Sequence, residues 1–163
     1  MCEALAERYQ FLASAGTREL SNRVTTPEFR FRHALYREVL YRRLNPSQRV
    51  TFHRRLAEGL EALSSPVEPE MAAEIASHFE EGHEYERAIL QLILAAQNAT
   101  RRYAHQHSVS ILEHARELLP KVPAERRQEL DDQTLERIAN AYYALGDMER
   151  SARIYQSMAM TAA

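Results

Sequence analysis

The stretch 84–103, "EYERAILQLILAAQNATRRY", limits the fold more than any other part of the chain. It is long, alanine-rich and apolar around much of its girth, so as a helix it must be packed on two sides. The flanking sequence supplies the neighbours. Asn45-Pro46 reads as a helix cap followed by proline at the first helical position. Phe52, Leu56, Leu60 and Leu63 then recur at helical spacing, as an inward face. "SSPVEP" ends that helix, because its two prolines cannot continue it. A further helix is predicted over about 70–81, stopped by Gly82 as a left-handed terminator. Others are predicted over 106–119, 124–145 and 147–161, the last two turning at Gly146-Asp147.

Composition agrees with a packed helical chain of 163 residues: 45% of them are hydrophobic, and there are four Gly and six Pro. That argues against disorder and against a turn-rich all-β fold. Net charge is −2, so no global basic field points to nucleic acid or a membrane. No run of apolar residues is long enough to span a bilayer, and no signal-peptide pattern opens the chain. Cys2 is the only cysteine, which excludes a disulfide framework and fits a reducing cytoplasm. Charge is nonetheless segregated. Residues 28–55 hold eight Arg against two Glu, and residues 56–87 hold nine Glu against Arg87. The expectation is that these zones screen one another within the molecule.

The N-terminal part has a different rhythm. Residues 3–13 read as a helix with Leu5, Tyr9 and Leu12 inward, broken by Gly16. "SNR" and "TTP" supply turn residues. Phe29 and Phe31 alternate with charged residues, as on the second arm of a β-hairpin. From Ala34 the period changes, and Leu35, Tyr36, Val39 and Leu40 recur as on a helix. A strand thus runs almost without a loop into a helix, with His33 on the joint. Helix, hairpin and returning helix are the closing parts of a winged-helix module, and its usual first two helices are missing. The predicted division is 1–45 as the C-terminal part of a winged helix and 46–163 as a linker helix with helical repeats.

Those repeats are visible in the sequence. "LERIANAYYALGDMERSARIYQSM" matches the tetratricopeptide (TPR) pattern of helical hairpins, with Leu135, Ile138, small Ala139, Tyr142, Gly146, small Ser151, Tyr155 and Met158 in register. "ASHFEEGHEYERAILQLILAA" has the same sense, through Phe79, Gly82, Ala88, Leu92 and Ala95. "ATRRYAHQHSVSILEHA" is a degenerate copy with Ser108 at the small position. Small residues belong where two helices cross closely, and aromatics where the next hairpin stacks. The expected fold is mainly α: a TPR-like α-solenoid of antiparallel hairpins, preceded by a small helix and β-hairpin remnant.

A search for chemistry finds none. Lys121 is the only lysine and follows no phosphate-cradling loop. No Gly-x-Ser-x-Gly elbow occurs, and Cys2 lies too near a free end to serve as a nucleophile. His105, His107 and His114 share one helical region without the spacings that gather metal ligands, and read as partly exposed polar residues. His78 and His83, flanking a turn, read the same way. No catalytic residue and no metal site are expected. Tyr142, Tyr143 and Tyr155 either line a partner-binding groove or form the stacking core between hairpins.

The order "FRFRHALYREVLYRRL", "RVTFHRRLAEGLEAL", "EIASHFEEGHEYERAILQLILAAQNATRRYAHQHSVSILEHARELL" resembles the region downstream of the ATPase module in bacterial STAND-class regulators. In those proteins an AAA-like nucleotide switch is followed by a winged helix and TPR arrays. The resemblance implies a non-catalytic fragment of a signalling ATPase, with ATP or ADP bound elsewhere in the parent and no cofactor in this chain. Partners would be other modules of the same polypeptide or a separate protein. It also gives His33 a role. STAND switches carry a Met-His-Asp motif at the strand-to-helix joint, and its histidine reaches the β-phosphate of ADP. Here Phe31-Arg32-His33-Ala34 occupies the joint, making His33, with Arg32 beside or instead of it, the implied nucleotide sensor. Ala34 replaces the motif's aspartate. A winged-helix DNA-binding regulator using helix 34–44, and a free-standing TPR adaptor, are the alternative expectations. Apolar surface left uncovered at the N-terminal end would also favour dimerisation.

Overall fold

The computed structural model describes residues 11–19, 25–63 and 70–161. Two antiparallel strands, β1 (Leu12–Glu19) and β2 (Thr25–Phe31), lead into helix α1 (Ala34–Arg43). There follow α2 (Pro46–Leu63), α3 (Ala72–Glu81), α4 (Tyr85–Arg101), α5 (His105–Leu118), a 3-10 turn (Leu119–Lys121), α6 (Ala124–Ala144) and α7 (Met148–Thr161). The chain is mainly helical with one small hairpin. From α2 to α7 each helix packs chiefly on the next in sequence, with a lighter contact between α4 and α6. No helix among the described residues is long and apolar enough to cross a membrane.

The hairpin differs from its expected layout. Leu12 and Ala13, expected at the end of a helix, lie in β1, paired with Phe31 and Arg30. Leu5, Tyr9, Cys2, "SNR" and "SSPVEP" lie outside the described residues. Gly16 is no helix breaker: it sits inside β1 at φ +102, next to the irregularity between Ser14 and Gly16 that leaves Ala15 unpaired. That conformation suits a residue without Cβ at a bulge. Thr25, Thr26 and Pro27 are strand rather than turn. Pro27 is tolerated because both strands of a two-stranded sheet are edges. β2 does run straight into α1, with His33 extended as the N-cap (φ −134, ψ 138).

Helix α1 departs from its own pattern. Leu35, Val39 and Leu40 are 64%, 42% and 44% exposed, and no residue of the helix is buried. Its period identifies a helix correctly, but its apolar side is covered only in part among the described residues: Tyr36 meets the Phe11 ring edge-on, centroids 5.0 Å apart, while Leu35, Val39 and Leu40 stay exposed. Phe52 and Leu63 of α2 are likewise exposed, and the buried residue of that helix is Ala57. The start of α2 is secured by more than proline. The Gln48 N–H donates to Asn45 Oδ1 and the Asn45 N–H donates to Gln48 Oε1, each at 2.9 Å, a reciprocal capping box.

The core runs along α3 to α6. Ile75 and Phe79 of α3 meet Ala88, Ile89, Leu92 and Ile93 of α4, and continue to Leu112, Leu118, Leu130 and Ile138. Eight residues of α4 are buried, so the two-sided packing demanded by its composition is present. Three of the corners in this stack are built alike. At 82–84, 102–104 and 145–147 the middle residue is left-handed: His83 at φ 58, Tyr103 at φ 60, Gly146 at φ 81. In each, the N–H of the third residue reaches back five positions, Glu84 to Phe79 O, Ala104 to Ala99 O and Asp147 to Tyr142 O, at 2.8–2.9 Å. These are Schellman closures that satisfy the last carbonyls of the preceding helix. Each corner also buries a pair of small residues where the two helices cross: Ala76 with Ala88, Ala96 with Ser108, Ala139 with Ser151, all at 4% exposure or less. From 83 to 103 is 20 positions and from 103 to 146 is 43, so the recurring unit is the corner and not one sequence period.

Gly82 itself is right-handed (φ −80), and His83 takes the left-handed place expected of it. A non-glycine residue in that region costs roughly 1–2 kcal/mol. Tyr103 is 87% exposed in the same conformation, so its side chain returns little packing energy. Tyr103→Gly is therefore expected to raise the unfolding free energy by about 1 kcal/mol, read from urea denaturation. A loss of that size would mean the corner is held by the tyrosine ring instead.

Candidate functional site

The concavity with the richest convergence of side chains lies where α4 and α6 meet across the start of α5. It has a volume of about 530 Å³ and is lined from all three helices. Leu94, Ala96, Ala141 and Ala144 give it apolar walls, and Thr100, Ser108 and Asn140 add polar groups. The Thr100 hydroxyl lies 3.0 Å from both Ser108 Oγ and the Ala96 carbonyl, within one hydrogen-bonded group. The small residues Ala96 and Ser108 make this cleft by letting α4 and α5 approach closely.

Its charged lining has one sign. Arg101, His105 and Arg137 line the groove and no Asp or Glu does. Arg137 Nη1 donates to Gln133 O at 3.0 Å. With its amide oxygen turned toward Arg137, Gln97 accepts from Nη2 at 3.0 Å and Nε at 3.3 Å. One side of the guanidinium fork is thus occupied by an exposed, neutral amide. Among the described residues neither Arg101 nor Arg137 has a carboxylate partner. His105 Nδ1 is buried without a hydrogen-bond partner.

The tyrosines singled out from the sequence divide. Tyr142 packs against the core, and the Arg150 guanidinium lies 5.3 Å from its ring centroid. Tyr143 is 62% exposed. Tyr155 donates its hydroxyl to Asn140 Oδ1 at 2.9 Å, which ties α7 to a groove residue. His33 and Arg32 are elsewhere, at the exposed β2–α1 joint. The His33 ring makes an edge contact with Tyr36 at 5.6 Å and forms no cap hydrogen bond, while the Arg32 N–H donates to Phe11 O at 2.9 Å.

A second polar cluster was not foreseeable from spacing. His53 of α2 and His78 of α3 face each other, Nδ1 to Nδ1, at 3.0 Å, and the Tyr41 hydroxyl of α1 lies 2.8 Å from His53 Nε2. His78 is partly exposed, as its turn position suggested, and also faces His53. The chain links three successive helices, and Arg49 reinforces it by stacking 4.9 Å from the Tyr41 ring and donating to Leu44 O. Among the described residues no three His, Cys, Asp or Glu side chains gather as metal ligands. His114 joins α5 to α3 through Glu80 at 2.9 Å, with Glu117 alongside at 3.3 Å.

These histidines shift in opposite directions. Burial, and then the His78 charge, hold His53 below its ordinary value of 6.5, against a smaller opposing pull from Glu81. The stability it contributes is full above that value and is lost as pH falls through its lowered pKa. The hydrogen bond to Glu80 raises His114, with Glu117 adding to it and burial opposing. Its contribution is full below 6.5 and is lost as pH rises through the raised pKa. Urea midpoints measured from about pH 5 to 8 should therefore show His53→Asn flattening the acid-side loss and His114→Gln flattening the alkaline-side loss. Parallel profiles for the wild type and both variants would contradict these assignments.

The charge zones pair with one another in part. Arg54 reaches Glu84 at 2.9 Å, but Arg87 pairs with Glu58 and Glu61 inside the acidic zone. Arg37, Arg43 and Arg55 have no carboxylate partner among the described residues. The zones meet where α2, with Arg54 and Arg55, packs on α3, with Glu80 and Glu81, whereas α1 packs on β2. No family model, no curated protein and no solved structure matches this chain.

Proposed function

We propose that this chain is a non-catalytic regulatory and protein-interaction segment of a multidomain STAND-type signalling ATPase. It would couple the nucleotide state of that ATPase to partner or effector binding, in transcription regulation or signal transduction. The observation that carries the reading is the contrast between the two ends. The helices α3 to α6 share a buried core, whereas α1 has no buried residue and exposes Leu35, Val39 and Leu40, with Phe31 and Phe52 of the flanking elements exposed as well. Such an apolar surface suits docking against another module. The repeated helical corners, with their small crossing residues, support the TPR-like assignment of the remainder. His33 is exposed at a helix N-terminus without a cap bond, and in the parent it would take a phosphate oxygen there.

Two measurements test this. The purified chain is expected neither to hydrolyse ATP nor to bind it, and turnover by clean protein would defeat the reading. In the intact parent, His33→Ala is expected to speed ADP release by about tenfold, the loss of one charge-assisted contact; an unchanged rate removes His33 from the switch. The unpaired arginines on and around α1 favour a second reading, phosphate contact with duplex DNA. Binding to nonspecific duplex that weakens steeply with salt would support it over the first.

A further inference from the structure

We propose that the groove between α4 and α6 is a binding site for an acidic segment of a protein partner, with Arg137 receiving a carboxylate. This deepens the interaction reading given above and rests on it for the kind of partner. Three observations on the groove converge. Its lining contains Arg101, Arg137 and His105 and no carboxylate, so its charge is complementary to an acidic ligand. The Nη2/Nε side of Arg137 has the geometry that receives a carboxylate in two parallel bonds, and a neutral Gln97 amide oxygen now holds it. Charge-assisted bonds to a guanidinium are roughly twice as strong as neutral ones, so an incoming carboxylate displaces that amide. Leu94, Ala96, Ala141 and Ala144 offer apolar wall to a neighbouring aliphatic side chain. The volume of about 530 Å³ accommodates side chains of a bound segment rather than a folded partner surface.

The site is assembled by the fold. Gln97 and Arg101 share one side of α4, Arg137 and Asn140 come from α6, and α5 begins with His105 between them. Asn140 is anchored by the Tyr155 hydroxyl, so α7 buttresses the far wall without lining it.

The test uses the full chain and fluorescence anisotropy with a labelled peptide alternating glutamate and leucine. Binding is expected, weakening as salt is added. The same peptide with glutamine for glutamate is expected to bind at least about tenfold more weakly, the worth of a charge-assisted pair. Arg137→Gln is expected to cost a similar factor. Gln97→Glu is the sharper variant: it places a carboxylate of the chain itself on the Arg137 fork and should abolish peptide binding without lowering the melting temperature. Equal affinity for the glutamate and glutamine peptides would overturn the proposal, as would full binding by folded Gln97→Glu protein. So would competition by inorganic phosphate or a single-stranded oligonucleotide as effective as the acidic peptide itself. Failure here leaves the ATP-binding and ADP-release results untouched, so the groove and the parent reading stand or fall separately.

Discussion

Phe79→Ala is expected to lower the unfolding free energy by about 3–5 kcal/mol, the range for deleting a buried aromatic side chain. Phe79 is fully buried and is the largest such side chain among those described. It lies on α3 against the α4 residues that form the centre of the core, and the Arg87 guanidinium covers its ring at 4.1 Å. Arg87 is itself held by Glu58 and Glu61 of α2, so removing the ring also loosens the link between α2 and α4. Total stability of a domain this size is about 5–15 kcal/mol, so the loss takes a large share of it. Urea unfolding followed by far-ultraviolet circular dichroism measures this. A loss below about 1 kcal/mol would show that the cavity collapses and that the α3–α4 contact is not rigid.

Gly82→Ala is the second large effect, and its sign runs against helix propensity. Alanine ordinarily favours a helical conformation over glycine by about 1 kcal/mol, and Gly82 has an ordinary right-handed φ. A Cβ at this position would nevertheless lie 3.0 Å from the Arg54 backbone nitrogen, 3.1 Å from Arg54 Cα and 3.0 Å from His78 O. All three are main-chain atoms, so relief requires α2 and α3 to separate. The expected loss is about 1–3 kcal/mol, as for other overpacked sites. Gly146→Ala provides the comparison. Its Cβ would meet nothing within 4 Å, and its cost comes only from φ +81, at about 1 kcal/mol. A neutral Gly82→Ala beside a destabilising Gly146→Ala would mean that the two helices do not approach so closely.

The contrast between these glycines also shows what a sequence can and cannot reveal. Gly146 and Asn45-Pro46 act through their own backbone, and local reading placed both corners correctly. The alanines of α4 stated its burial through composition. Gly82 was assigned the wrong role because its constraint comes from Arg54, 28 positions away. The apolar rhythm of α1 identified the helix but not its partner, and Leu12 followed a helical pattern into a segment that pairs as a strand. Tyr155 was singled out as an aromatic of the repeat, yet its contact with the groove runs through Asn140. The arginine fork and its glutamine belong to helices separated by α5, and His53 and His78 to two different helices. No spacing rule brings such residues together before the stack is known.

The packing order along α2 to α7 has a kinetic consequence. Because each helix finds its principal partner immediately next in the chain, few long loops must close before contacts form. Low contact order of this kind accompanies refolding in microseconds to milliseconds. Growth of the folded array from an α3–α4 nucleus in both directions would then leave α1 and the hairpin to dock last, and amide exchange should be slowest in α4 and fastest in α1.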